Sequence, residues 1–85
     1  MYQIVISRSA LKDLQQIPQV AVKKIVSDID ALSLNPRPAG CKKLKGISEE
    51  IWRIRQGDYR IIYSISDNIR IVDIRRVRHR KHVYD

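Results

Sequence analysis

A chain of 85 residues makes one domain, near the lower size at which proteins fold without staples. Its apolar fraction of 44 %, rich in Ile and Val and lacking Phe, supports a modest aliphatic core, and a single cysteine, Cys41, excludes an intrachain disulfide or a cysteine-based zinc site. The formal net charge is +8, no apolar run approaches the roughly 18 residues of a membrane span, and Met1-Tyr2-Gln3-Ile4 leads into a strand-like segment with no signal-peptide pattern, so a cytoplasmic location is expected.

The charge is uneven. Residues 1–40 hold five basic and three acidic side chains (+2), and residues 41–85 hold twelve and six (+6). A basic face of this kind points to nucleic acid or to an acidic protein partner. Tyr2 to Ser7 alternates as a first strand, with Ile4 and Ile6 on one side and Val5 on the other. Ser7 or Ser9 can cap a helix, and Leu11, Leu14 and Ile17 form its short apolar stripe. Pro18 suits the first turn of a second helix, in which Val22, Ile25, Val26, Ile29 and Leu32 recur at three- and four-residue steps. Asn35-Pro36-Arg37-Pro38-Ala39-Gly40 cannot continue that helix and reads as a connector. Lys42 to Ser48 reads as a basic loop that can start a strand, and its Lys42, Lys43 and Lys45 can each add a phosphate contact.

Three strands follow, about Glu50–Gln56, Tyr59–Ser66 and Ile69–Arg78, with Gly57-Asp58 and Asp67-Asn68 as turn residues. Alternation places Arg53 and Arg55 on one face and Trp52 and Ile54 on the other. In the next strand Tyr59, Ile61, Tyr63 and Ile65 share a face, and Arg60 points away from them. Trp52, Tyr59 and Tyr63 are read as core or cross-strand packing. The third strand is apolar on both faces through Ile69, Ile71, Val72 and Ile74, which predicts a central position. Basic residues close the chain: Arg75, Arg76, Arg78, Arg80 and Lys81. The expected architecture is α+β, ordered β-α-α-β-β-β, a helical hairpin on one face of a mostly antiparallel four-stranded sheet. The expected site is a concave surface on which Arg53, Arg55 and Arg60 meet Arg80 to hold a polyanion, most plausibly RNA. Neither a Gly-rich phosphate loop nor a His/Cys metal constellation is visible, so no cofactor or metal is expected.

The ordered set Ser9-Ala10-Leu11-Lys12-Asp13-Leu14, Asn35-Pro36-Arg37-Pro38, Lys43-Leu44-Lys45-Gly46, the hairpin Trp52 to Tyr63, Val77-Arg78-His79-Arg80 and Val83-Tyr84 resembles the RelE/ParE superfamily of toxins, specifically its RelE-like branch. The resemblance covers essentially all of residues 1–85 as a single toxin domain. It implies the toxin of a type II toxin–antitoxin pair. Such a protein is a metal-independent mRNA endoribonuclease acting in the ribosomal A site, with the ribosome and mRNA as partners and no membrane. A small, partly disordered RelB-like antitoxin would hold it inactive in a hetero-oligomer. The ribose 2′-OH attacks the adjacent phosphate and leaves a 2′,3′-cyclic phosphate and a 5′-OH.

By resemblance, Arg60 matches the phosphate-clamping arginine, Arg80 the arginine on the leaving-group side, and Tyr84 the C-terminal tyrosine that stacks on or orients the substrate. Arg53 and Arg55 stand where several ribosome-dependent relatives carry lysines. Arginine stays protonated, so it clamps phosphate but is a poor base. His79 is the first candidate for proton transfer, His82 the second, and Glu49 or Glu50 the third. Lys43, Lys45, Arg76, Arg78 and Lys81 are the expected RNA-binding residues. Two other readings remain open: a ParE-like inhibitor of DNA gyrase, and a non-catalytic RNA-binding module.

Overall fold

The computed structural model describes residues 1–44 and 50–82. In chain order the elements are β1 (Gln3–Ile6), α1 (Arg8–Gln15), α2 (Gln19–Ala31), β2 (Lys42–Leu44), β3 (Ile51–Gln56), β4 (Tyr59–Ser66), β5 (Ile71–His79) and a 3-10 turn over Arg80–His82. The strands form one sheet in the order β1-β5-β4-β3-β2. Strands β1 and β5 pair in parallel, and the other neighbours are antiparallel.

The expected α+β plan holds, with five strands in place of four. The additional strand lies where a basic loop with a strand start was expected. Lys42, Lys43 and Leu44 pair with Arg53, Trp52 and Ile51 along the outer edge of β3. Three residues are too few for a period of two to show, and an edge strand with two lysines is a usual way to blunt a free edge. One further boundary is corrected. Ile69 is not in β5 but stands 67 % exposed in the turn before it, where Arg70 takes φ 55°. Strand β5 lies inside the sheet, between β1 and β4, as its two apolar faces imply, and the middle strand is β4 because β2 adds a fifth strand at the far edge.

Ser7 starts α1: its hydroxyl accepts the Ala10 N–H at 3.1 Å, satisfying one orphan donor of the first turn. Ala10, not Leu11, is buried, so the stripe facing the sheet is Ala10, Leu14 and Ile17, and Leu11 is exposed. Pro18 sits one position before α2, as its N-cap. That helix buries Ile25 and Ile29, with Leu32 just beyond its end, against Ile54, Ile61, Tyr63, Ile65, Val72, Ile74 and Val77 of the sheet. Both helices therefore cover one face of the sheet.

The 35–38 connector is fastened to that core. The fully buried Tyr63 donates its hydroxyl to the Pro36 carbonyl at 2.7 Å, and burial raises its phenol above the ordinary value. Next along the connector, Arg37 donates to both Asp67 oxygens (3.3 and 3.0 Å) and to Glu50 (2.8 Å), and lies 5.3 Å over the Trp52 ring. Tyr2 also donates to Asp67, so β1, the connector, β3 and the β4–β5 turn meet at one cluster. A Tyr63→Phe variant leaves the buried Pro36 carbonyl without its donor. It is expected to lose about 1–2 kcal/mol, read as a lower urea midpoint at unchanged slope.

Candidate nucleic-acid interface

Because Ile61, Tyr63 and Ile65 face the helices, Arg60, Ile62 and Ser64 face away from them. Register then builds the site. Arg55 of β3 stands directly opposite Arg60 of β4, and Arg60 stands directly opposite Arg78 of β5. Neighbouring strands are about 4.8 Å apart, so three guanidinium-bearing positions cross the sheet in one row. Like charges placed opposite each other weaken a sheet, a cost that an anion lying along the row would relieve.

The row occupies the hairpin end, past the last residues that β1 and β2 pair with. Arg80 stands at the same end. Its N–H donates to the Asp58 carbonyl at 2.8 Å, and its exposed guanidinium lies 3.6 Å from the Asp58 carboxylate. The opposite end of this face is neutralised: Arg75 Nε lies 3.2 Å from both Asp73 and the Ser64 hydroxyl. Among the described residues, the face thus gathers Arg55, Arg60, Arg78 and Arg80 at the hairpin end and an Arg75–Asp73 pair at the other. Arg53 shares the face but is only 3 % exposed. Arg53, Arg55 and Arg60 each hold interactions within the chain.

Other expected site residues fall elsewhere. Arg76 is directed to α1, where it grips Asp13 through Nε (2.8 Å) and Nη2 (3.1 Å). His79 pairs in register with Tyr59, on the helix side, and the two rings meet edge to face at 5.3 Å. Its Nδ1 accepts the Lys81 N–H, which assigns the ring proton to Nε2 in the neutral form. His79 lines a cleft of about 420 Å³ with Tyr59, Arg78, Lys81, Asp13 and Gln16. Arg78 therefore belongs to both the row and the cleft. Lys43 takes the Trp52 side of the sheet, 3.6 Å from Glu50, and Glu50 is committed to Arg37 as well. Lys45, Glu49 and Tyr84 lie outside the described residues, as does the His82 side chain. Among the described residues, no group of three or more His, Cys, Asp or Glu side chains is placed to hold a metal ion, and no helix is long and apolar enough to cross a membrane.

Sequence reasoning passed over Asp13. Its carboxylate accepts the Val77 N–H at 2.9 Å as well as the Arg76 side chain, beside the row. Partial burial pushes this carboxyl up, but Arg76 and the Val77 N–H together outweigh burial and hold it below the usual carboxylate range. A depressed folded value contributes stability that is present above the unfolded value of about 3.9 and is lost as pH falls through the folded one. The stability difference between the wild type and Asp13→Asn is therefore expected to be about 1–3 kcal/mol at neutral pH. It should shrink steadily below about pH 4, as urea titrations at a series of pH values will read.

The chain is similar in sequence and fold to known proteins. The family model for the ParE toxin of the type II toxin–antitoxin system parDE matches residues 4–84. The toxin RelE3 of Methanocaldococcus jannaschii is 35 % identical over 86 residues, covering 96 % of this chain and 94 % of that protein. The toxin RelE of Mycobacterium tuberculosis is 32 % identical over 84 residues, covering 98 % and 86 %. Among solved structures, the archaeal RelE–RelB complex from Pyrococcus horikoshii contains a chain that superposes with a TM-score of 0.84 at 28 % identity, covering 96 % of this chain and 98 % of that one.

Proposed function

Because this chain belongs to the RelE/ParE superfamily of type II toxin–antitoxin toxins, in its RelE-like branch, we propose that it is an endoribonuclease that cuts messenger RNA on translating ribosomes and so arrests protein synthesis. The observation that carries this reading is the row Arg55–Arg60–Arg78 with Arg80 beside it. In the proposed reaction the ribose 2′-oxygen bonds to the neighbouring phosphorus. The P–O5′ bond breaks, the 2′-OH proton is removed, and the departing 5′-oxygen gains one. The products are a 2′,3′-cyclic phosphate and a 5′-OH. Negative charge grows on the non-bridging oxygens, where fixed cations stabilise the transition state more than the ground state.

Arg60, at the middle of the row, clamps the scissile phosphate. Arg55 and Arg78 position the phosphates on either side, and Arg80 stabilises the leaving oxygen. Arg53, being buried, supports the layer on which the row stands. His79 stands on the helix side and not in the row; it is the candidate proton-transfer group, with Arg78, which lines the same cleft, as its link to the row. Tyr84 orients a base. The partner is a RelB-like antitoxin, in keeping with the complex in which the Pyrococcus relative was crystallised. An acidic segment that folds on this basic face would cover the row.

One observation favours a second reading. The matching family model is named for ParE toxins, so a gyrase-directed inhibitor is the alternative. A defined message translated in vitro with the purified protein, with and without ribosomes, separates the two. The ribonuclease reading predicts ribosome-dependent cuts inside codons, ending in cyclic phosphate and 5′-OH. Intact messages together with DNA breaks in cells would establish the alternative. Arg60→Ala is expected to stay folded, to lower the cleavage rate by about 10²–10³-fold, and to relieve growth arrest in cells.

A further inference from the structure

We infer that Ser7 and Asp13 are positioning residues for the arginine row: they pin a β-bulge in β5 that turns Arg78 to the phosphate-holding side. The inference rests on the proposed ribonuclease reading for its consequence, but not for its geometry.

The bulge is visible in the register. Tyr63 pairs with Ile74 while Ile62 pairs with Arg76, so Arg75 is an extra residue in β5. Before it, Val72 and Ile74 are buried, and Ile71 and Asp73 stand opposite Ser66 and Ser64 on the far face. After it, Val77 is buried and Arg78 stands opposite Arg60. Unbroken alternation from Val72 and Ile74 would carry Arg76 and Arg78 to the helix side and turn Val77 and His79 outward. One inserted residue reverses that assignment. Bulges characteristically re-aim side chains in this way beside functional sites.

A bulge also takes backbone groups out of the ladder, and they need other partners. Strand β1 ends at Ile6, so it cannot supply them. The start of α1 does. The Ser7 N–H donates to the Ile74 carbonyl at 3.0 Å, and the Ser7 hydroxyl donates to the Arg75 carbonyl at 2.9 Å. Asp13, one and a half turns along, accepts the Val77 N–H and the Arg76 side chain. Four consecutive residues of β5, Ile74 to Val77, are thus held from the start and body of α1. The same Ser7 hydroxyl caps α1, so the helix that pins the bulge is itself anchored at that point.

The test compares wild type, Asp13→Asn, Arg78→Ala and the double variant in ribosome-dependent message cleavage, at a temperature where circular dichroism shows each folded. Asp13→Asn should lower kcat by about tenfold or more with a smaller change in KM. Because Asp13 acts through Arg78 and its neighbour, the double variant should fall no more than about threefold below Arg78→Ala alone. A wild-type kcat for Asp13→Asn, or full multiplication of the two losses, would overturn the assignment. A second readout does not depend on cleavage. In labelled Asp13→Asn, cross-strand nuclear Overhauser contacts between Arg60 and Arg78 should weaken, while those between Ile65 and Val72 persist. Unchanged Arg60–Arg78 contacts would also overturn it. A wild type that leaves every message whole would defeat the ribonuclease reading, and the Overhauser comparison would then decide the positioning role alone.

Discussion

The burial of Ile61, Tyr63 and Ile65 along β4 is the constraint from which the functional face follows. A strand has two faces and a period of two, so turning these side chains to the helices turns Arg60 away from them. The neighbouring strands are then fixed in register by Ile54 and Val77, both of which pair with Ile61 and are buried. With those two apolar partners in place, Arg55 and Arg78 are the residues that flank Arg60. The apolar core and the cationic row are the two sides of one set of pairings. A register slip by one residue would lose both together.

This coupling suits a small domain with a demanding surface. Three like charges aligned across a sheet work against folding. The balancing interactions lie at the margins: Arg37 with Asp67 and Glu50 at one end, Arg76 with Asp13 beside β5, and Asp58 next to Arg80 at the hairpin. Asp13, Glu50, Asp58 and Asp67 fasten connectors and edges around the sheet. The result is a surface preorganised for anions, in which the cost of assembling the cations is met on folding, before substrate arrives.

Much of this was legible in the residues. The alternation of Trp52 to Gln56 and of Tyr59 to Ser66 was strong enough to assign faces to Arg53, Arg55 and Arg60 correctly, because bulky apolar residues mark one face of each strand. The short β2 strand was legible only as a strand start within a basic loop, since three residues with two lysines carry no period. Ile69 misled because an exposed isoleucine in a turn looks like the start of an apolar run. The bulge was written in the spacing of Val72, Ile74 and Val77, two residues and then three, but the arginines between them hid it. With apolar residues on both faces of the expected third strand, the faces of Arg76, Arg78 and His79 were left unassigned. The structure sends Arg76 to Asp13, Arg78 to the row and His79 to Tyr59. Asp13 was invisible for another reason: a polar residue in a helix shows its partner only when the fold brings the strand edge to it.

The central claim is that Arg55, Arg60 and Arg78 act as one phosphate-holding unit. The most direct measurement is the salt dependence of affinity for a short single-stranded RNA, for the wild type and for Arg55→Gln, Arg60→Gln and Arg78→Gln. With Arg80 as a fourth contact, the plot of log K against log salt should have a slope near about −2.8, and each substitution should reduce its magnitude by about 0.7. Slopes that stay at the wild-type value in all three variants would contradict the account.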